Sequence, residues 1–192
     1  MRYVIPSLGR CGSSVMARAI ERASGASGWP YRQDWARATD AVIKTHGHFH
    51  GEPAFEYRAV YCWGPLGDVF ASLRSYMGAH LIPHLEHLGV AADQIADFNQ
   101  LSASDDLGAW LYLITGDKCR FVDNLTTWEG SQQALFVHYT DWERNAEEVF
   151  RRVSAHTQLA VKPVTLHARR GHMGDLHPTL QAAIRAEYGG LA

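Results

Sequence analysis

The sequence is poor in cysteine, with three in 192 residues, at positions 11, 62 and 119. Their odd number and wide spacing exclude a disulfide scaffold and a compact zinc pattern, so a reducing compartment is expected. An excess of either charge is also missing. Eighteen Lys and Arg stand against 20 Asp and Glu, a formal net charge of −2, which argues against non-specific nucleic-acid binding. No apolar run approaches the roughly 18 residues of a membrane span, and the first residues are strand-like rather than a basic region followed by a secretory core. No membrane association and a cytoplasmic location are the expectations. Nor is there a Gly-Lys-Ser/Thr triplet, which excludes a Walker loop.

What remains is ordinary for a folded chain: 46% hydrophobic and 20% charged residues, without a repeat or a low-complexity linker. A single compact domain over residues 1–192 is expected, burying roughly two-thirds of its unfolded surface. Ala41 to Lys44 reads as a strand after the amino-terminal one, and Arg58 to Trp63 as a third. Leu66 to Met77 then has Val69, Phe70, Leu73 and Met77 at helical spacing. Asp105 to Ile114 reads as a helix carrying Leu107, Trp110, Leu111 and Ile114, with Asp105 or Ser104 as its cap. Ala134 to Tyr139 reads as a strand feeding an amphipathic helix with Ala146, Val149, Phe150 and Val153 on one face. Glu147–Arg151 and Glu148–Arg152 have the four-residue spacing of ion pairs on its wet face. Leu180, Ala183 and Ile184 mark a last helix. Apolar strands separated by helices predict an α/β fold of three layers around a mostly parallel sheet, with the ligand site beyond the strand carboxyl ends.

The chemistry begins directly after the first strand. Tyr3-Val4-Ile5 runs into Pro6-Ser7-Leu8-Gly9-Arg10-Cys11-Gly12-Ser13-Ser14, and Val15, Met16, Ala19, Ile20 and Ala23 then share a helical face. A strand, a small-residue turn and a helix start make a P-loop-like anion cradle. Glycines admit a ligand close to the backbone, helix-start amides point at it, and Arg10, Ser13 and Ser14 add donors. An ordinary turn with Ser13 as helix cap is the plainer alternative. Lys44-Thr45-His46 follows the second strand, where Lys44 and His46 share a side in extended geometry. A neutral imidazole accepts a proton near neutral pH, and a lysine stabilises developing negative charge. Arg169-Arg170-Gly171 near the carboxyl end joins two guanidinium groups to flexible backbone, a combination suited to an oxyanion. His46, His48 and His50 alternate, but Gly47 and Gly51-Glu52-Pro53 indicate a loop and no zinc-binding helix accompanies them, so no metal site is expected.

Together these segments resemble the P-loop-like sulfotransferases that use 3′-phosphoadenosine 5′-phosphosulfate (PAPS). The resemblance implies that residues 7–14 form the 5′-phosphosulfate loop, with Gly9, Arg10, Cys11, Gly12, Ser13 and Ser14 at the cofactor. It implies His46 as catalytic base, with Lys44 and Arg10 stabilising charge. Val60 to Leu73 is similar to the 3′-phosphate strand–helix motif, which places Ser72 on that phosphate after the acidic Asp68. Tyr139 matches a tyrosine on the family's later strand, and Arg169, Arg170 and Gly171 match the terminal loop that closes over the cofactor.

Departures accompany the match. Gly64, followed by Pro65, replaces the usual 3′-phosphate arginine, leaving Arg74 or Arg58 as substitutes. Leu176 and His177 stand where tryptophan and lysine are usual. The resemblance implies sulfuryl transfer from PAPS to a hydroxyl of a small-molecule acceptor, with Trp110, Leu111, Tyr112, Trp128, Tyr76 and His80 either lining an acceptor cleft or forming core. An ATP-dependent P-loop kinase and a non-catalytic nucleotide-binding protein are the alternatives, and neither the acceptor nor the oligomeric state is readable.

Overall fold

The strands are apolar runs rather than alternations. In the computed structural model, which describes residues 1–75, 81–166 and 171–191, β1 (Arg2–Pro6) buries Val4 and Ile5, and β2 (Val42–Thr45) buries Val42 and Ile43. β3 (Tyr57–Trp63) buries Ala59, Val60, Tyr61 and Cys62, and β4 (Ala134–His138) buries Val137. Strands of that kind need cover on both faces. They pair in the order β2-β1-β3-β4, every pair parallel. Tyr3 lies opposite both Val42 and Arg58, and Cys62 lies opposite Val137.

The step from β1 to β2 passes through α1 (Ser13–Ser24). The step from β3 to β4 passes through α2 (Leu66–Ser75), α3 (Leu81–His87), α4 (Ala92–Ser102), α5 (Asp106–Ile114) and α6 (Phe121–Glu129). The two steps run in opposite directions across the sheet, and right-handed crossovers then place their helices on opposite faces. α7 (Tyr139–Arg144), α8 (Ala146–Thr157) and α9 (Pro178–Tyr188) complete the order, with α1 packed on β1 and β2 and α8 on β3 and β4. This is the expected α/β sheet between helical layers. The step between β1 and β3 is where crossover direction reverses, and the cradle loop leaves the carboxyl end of β1 there.

Local signals account for most helix ends. Asp105 caps α5 by accepting from the Gly108 amide at 2.8 Å, and Asn145 caps α8 by accepting from Glu148 at 3.1 Å. Three expectations are corrected. Tyr139 does not end the strand; it opens α7, so a separate short helix precedes the amphipathic one. Arg151 pairs with Glu148, three residues away, donating from Nε and Nη2 to the two oxygens of that one carboxylate, while Arg152 turns to the Phe136 carbonyl. Ser13 is not the cap of α1; Gly12 occupies that position in the left-handed region. Met77 lies outside the described residues.

Among the described residues no helix is long and apolar enough to cross a membrane.

Candidate functional site

The loop between β1 and α1 turns three times through the left-handed region, at Gly9 (φ 89°), Arg10 (φ 54°) and Gly12 (φ 80°). Glycine takes that conformation without steric cost, whereas Arg10 carries a Cβ into it. Backbone held there by a charged, exposed residue is the kind of local strain that concentrates at functional sites.

An anion loop must aim amides at its ligand and keep its carbonyls away. The carbonyls here are tied down one by one. His46 Nδ1 lies 2.7 Å from the Ser7 carbonyl, His84 Nε2 lies 3.1 Å from that of Leu8, and Cys11 Sγ donates to that of Gly9 at 2.9 Å. The Gly12 carbonyl accepts from the amides of Val15 and Met16 as α1 begins. The amides of Ser13 and Ser14 stand in the first helical turn, where no preceding helical carbonyl meets them. Cys11 is buried, with its thiol spent on the Gly9 carbonyl.

β2 brings the second group. Lys44 Nζ donates to Ser14 Oγ at 2.9 Å, bridging strand and helix start. His46 is buried, and a carbonyl can only accept, so its Nδ1 carries the proton and Nε2 the lone pair. Nε2 has no hydrogen-bond partner among the described residues. Ser7 Oγ lies 3.1 Å from the same Nδ1 and donates to Ser13 Oγ at 3.0 Å, joining the histidine to the loop. Burial, His84 and Lys44 together push the His46 pKa well below 6.5, against the opposing pull of the Ser7 carbonyl. Burial also lowers the Lys44 pKa, with Arg10 adding to the effect.

The turn after β2 is fixed from outside. Asn124 donates its amide to the His46 carbonyl at 2.8 Å while accepting from the Tyr61 hydroxyl at 2.7 Å. The Trp128 indole donates to the Gly47 carbonyl at 2.9 Å and the Trp35 indole to the His48 carbonyl at 3.2 Å. The two indoles tilt against each other at 5.0 Å in the core. Tyr31 adds a hydroxyl that accepts the His46 backbone N–H at 3.0 Å, and its ring stacks on His87 at 4.1 Å. Sequence reasoning missed Tyr31, His84, His87, Asn124 and Trp35. It read Trp128 only as cleft or core, and core is where it lies. Trp110 is likewise core, 5.7 Å edge-on to Phe98, while Tyr112 donates to Asp97 at its surface. Tyr76 and His80 lie outside the described residues.

The terminal segment returns to α2. Met173 donates its amide to Asp68 at 2.8 Å, and Gly171 lies so close that a Cβ there would sit 2.9 Å from the Ser72 nitrogen. Gly171 and Ser72 are therefore brought together, with Ser72 buried beneath the segment. Tyr139 is buried at the start of α7, and the next turn sends Trp142 against Gly12, where a Cβ would meet the indole at 2.9 Å. Arg169 and Arg170 lie outside the described residues. Both arginines named as substitutes at Gly64 have other partners in this structure. Arg58 sits at the amino end of β3, bonded to Gln133 at 3.1 Å, and Arg74 pairs with Asp106. Leu176 is buried and His177 caps α9, accepting from Thr179 at 3.2 Å, so both departures serve the helix that follows.

The buried histidines carry a stability consequence. The His84 pKa falls to about 4, first through burial and then through Lys44, His87 and Arg10. The unfolded chain, with ordinary histidines near 6.5, binds more protons than the folded one between these values. Stability is therefore full above pH 6.5 and lost as pH falls toward 4. Thermal unfolding midpoints should drop across that window, and His84→Gln should flatten part of the drop. A midpoint independent of pH from 6.5 to 4 contradicts neutral burial of these rings.

Among the described residues no three His, Cys, Asp or Glu side chains form a metal-binding group. A cavity of about 310 Å³ bounded by Met1, Phe55, Tyr57, Arg58 and Gln133 lies at the amino ends of the strands, away from the loop. Neither a protein-family model nor a curated protein matches the sequence. Among solved structures the chain is similar to the crystal structure of mouse sulfotransferase SULT7A1 complexed with PAP, at 16% identity and a TM-score of 0.51. The match covers 97% of this chain and 63% of that one, so this chain spans less than two-thirds of its length. The likeness is one of fold, a parallel α/β sheet flanked by helices as in a sulfotransferase.

Proposed function

We propose that this chain transfers a sulfuryl group from PAPS to a hydroxyl of a small-molecule acceptor. The observation that carries the reading is the tautomer of His46. Its Nδ1–H is held by the Ser7 carbonyl, leaving the Nε2 lone pair free to accept, on a strand end next to the loop that carries Arg10 and to Lys44, which reaches Ser14 from β2. A similar fold is found in a sulfotransferase complexed with PAP, the nucleotide left when PAPS has given up its sulfuryl group.

The residues suit such a donor. The side chains that act on Lys44 and His46 are cations, imidazoles and a thiol, without a carboxylate to repel phosphate or sulfate. Gly9, Arg10, Cys11 and Gly12 wrap the 5′ end through their backbone, and Ser13 and Ser14 add hydroxyls. Ser72 and Gly171, with Arg169 and Arg170, are assigned to the 3′ end, and Tyr139, buried at the start of α7, to the cofactor as the family resemblance implies. PAPS supplies a sulfur poised between the acceptor oxygen and a phosphate leaving group. His46 Nε2 takes the acceptor proton as the acceptor oxygen bonds to sulfur and the sulfur–phosphate oxygen bond breaks. Lys44 and Arg10 stabilise the charge that develops on the transferring group and on the departing phosphate.

Incubation with sulfur-labelled PAPS and a panel of alcohols and phenols should release adenosine bisphosphate in step with a labelled ester. Calorimetry should show PAP binding well ahead of Mg²⁺-ATP. Tighter binding of Mg²⁺-ATP, or no release and no PAP binding, overturns the reading.

A further inference from the structure

α3 is anchored in the core through Leu81 and Leu85, and it turns His84 and His87 toward the site. The His84 ring stands edge-on to His46 with centroids 4.5 Å apart. Its Cε1 occupies the space that a Cβ on Gly9 would need, 2.1 Å away, so Gly9 serves as the seat of this ring as well as a turn. Its Nε2–H goes to the Leu8 carbonyl at 3.1 Å. Among the loop carbonyls this bond is the one supplied from a separate helix by a side chain with no other hydrogen bond among the described residues. A leucine or phenylalanine would fill the same volume but leave a carbonyl dipole unpaired within an anion-binding loop, where it opposes the ligand.

We propose that His84 is a positioning residue of the transfer site, turning the Leu8 carbonyl away from the anion path and buttressing the His46 ring in its Nδ1–H tautomer. The kinetic side of this inference rests on the sulfuryl-transfer reading, whereas the tautomer does not.

The test compares His84→Gln, whose amide reaches the Leu8 carbonyl, with His84→Leu, which fills the space without a donor. Ring ¹⁵N shifts of His46, assigned with His46→Asn, are recorded without ligand, and PAP affinity is measured by calorimetry. The Gln variant should keep the wild-type tautomer and bind PAP within about threefold of wild type. The Leu variant should show mixed tautomers and lose about tenfold in affinity, the scale of one carbonyl left without its donor. Unchanged ¹⁵N shifts and affinity in a folded Leu variant overturn the proposal. Where that variant does not fold, His84→Asn replaces it, because its shorter amide cannot reach Leu8. Identical His46 tautomers in the Asn and Gln variants then overturn the proposal. A tautomer change with no PAP binding by any variant, wild type included, removes the sulfotransferase reading and leaves the role of His84 standing.

Discussion

His46→Asn should lower the single-turnover rate of sulfuryl transfer by about 10²–10⁴-fold, the scale of a lost general base. Asparagine is the informative replacement. Its side-chain amide can take over the donation that Nδ1 makes to the Ser7 carbonyl at 2.7 Å, so the loop keeps its shape while the Nε2 lone pair disappears. PAP affinity and thermal stability should stay close to wild type. The pH profile gives a second handle. Burial, His84 and Lys44 hold the imidazole neutral well below its ordinary 6.5. The acid limb of the wild-type single-turnover rate should therefore lie below pH 6.5, leaving the rate flat from there to 7.5. Single turnovers are needed because product release can mask chemistry in steady-state rates. A folded His46→Asn protein that transfers at the wild-type rate excludes His46 as base.

The loop and its two partners were legible because their signals are local. Gly9, Gly12 and the paired serines announce a turn before a helix, and Lys44-Thr45-His46 sits at a strand end that apolar runs reveal. Order along the chain then places them on neighbouring parallel strands, and the register of Ile5 against Lys44 brings them together. What holds the site was not legible. Asn124 and Trp128 reach the 46–47 backbone from 78 and 81 residues away, a distance over which periodicity carries no information. His84 lies in a seven-residue helix, too short for an amphipathic pattern to stand out. Tyr139 was misplaced for a different reason: strand propensity extends through Val137 to Tyr139, while hydrogen bonding hands the chain to α7 one residue earlier. Arg58 could be read from sequence only as part of a strand; it is the second residue of β3, which puts it at the amino end of the sheet, away from the loop.

Lys44→Met should move rate and stability in opposite directions. Lys44 lies beside Arg10, half-buried, with a serine hydroxyl at 2.9 Å as its partner and no carboxylate paired with it among the described residues. Burial disfavours its charge, which is why its pKa is lowered. In the protein without ligand the cation is therefore a cost, and methionine, with a similar stem and no charge, removes it. The thermal midpoint of Lys44→Met should equal or exceed that of wild type. With donor and acceptor bound the balance reverses. The ammonium then faces an anion in a site where amides and cations have displaced water, and its charge is used most as the leaving phosphate gains electrons. Loss of such a contact costs about 10²–10³ in rate, and the single-turnover rate should fall by that amount with a smaller change in PAP affinity. Lys44→Arg separates charge from shape: it keeps the cation but replaces a point donor by a planar fork that cannot meet Ser14 in the same geometry, so its rate should fall between the two. A Lys44→Met protein that is less stable than wild type makes Lys44 a structural residue, and one that keeps the wild-type rate removes it from the transfer step.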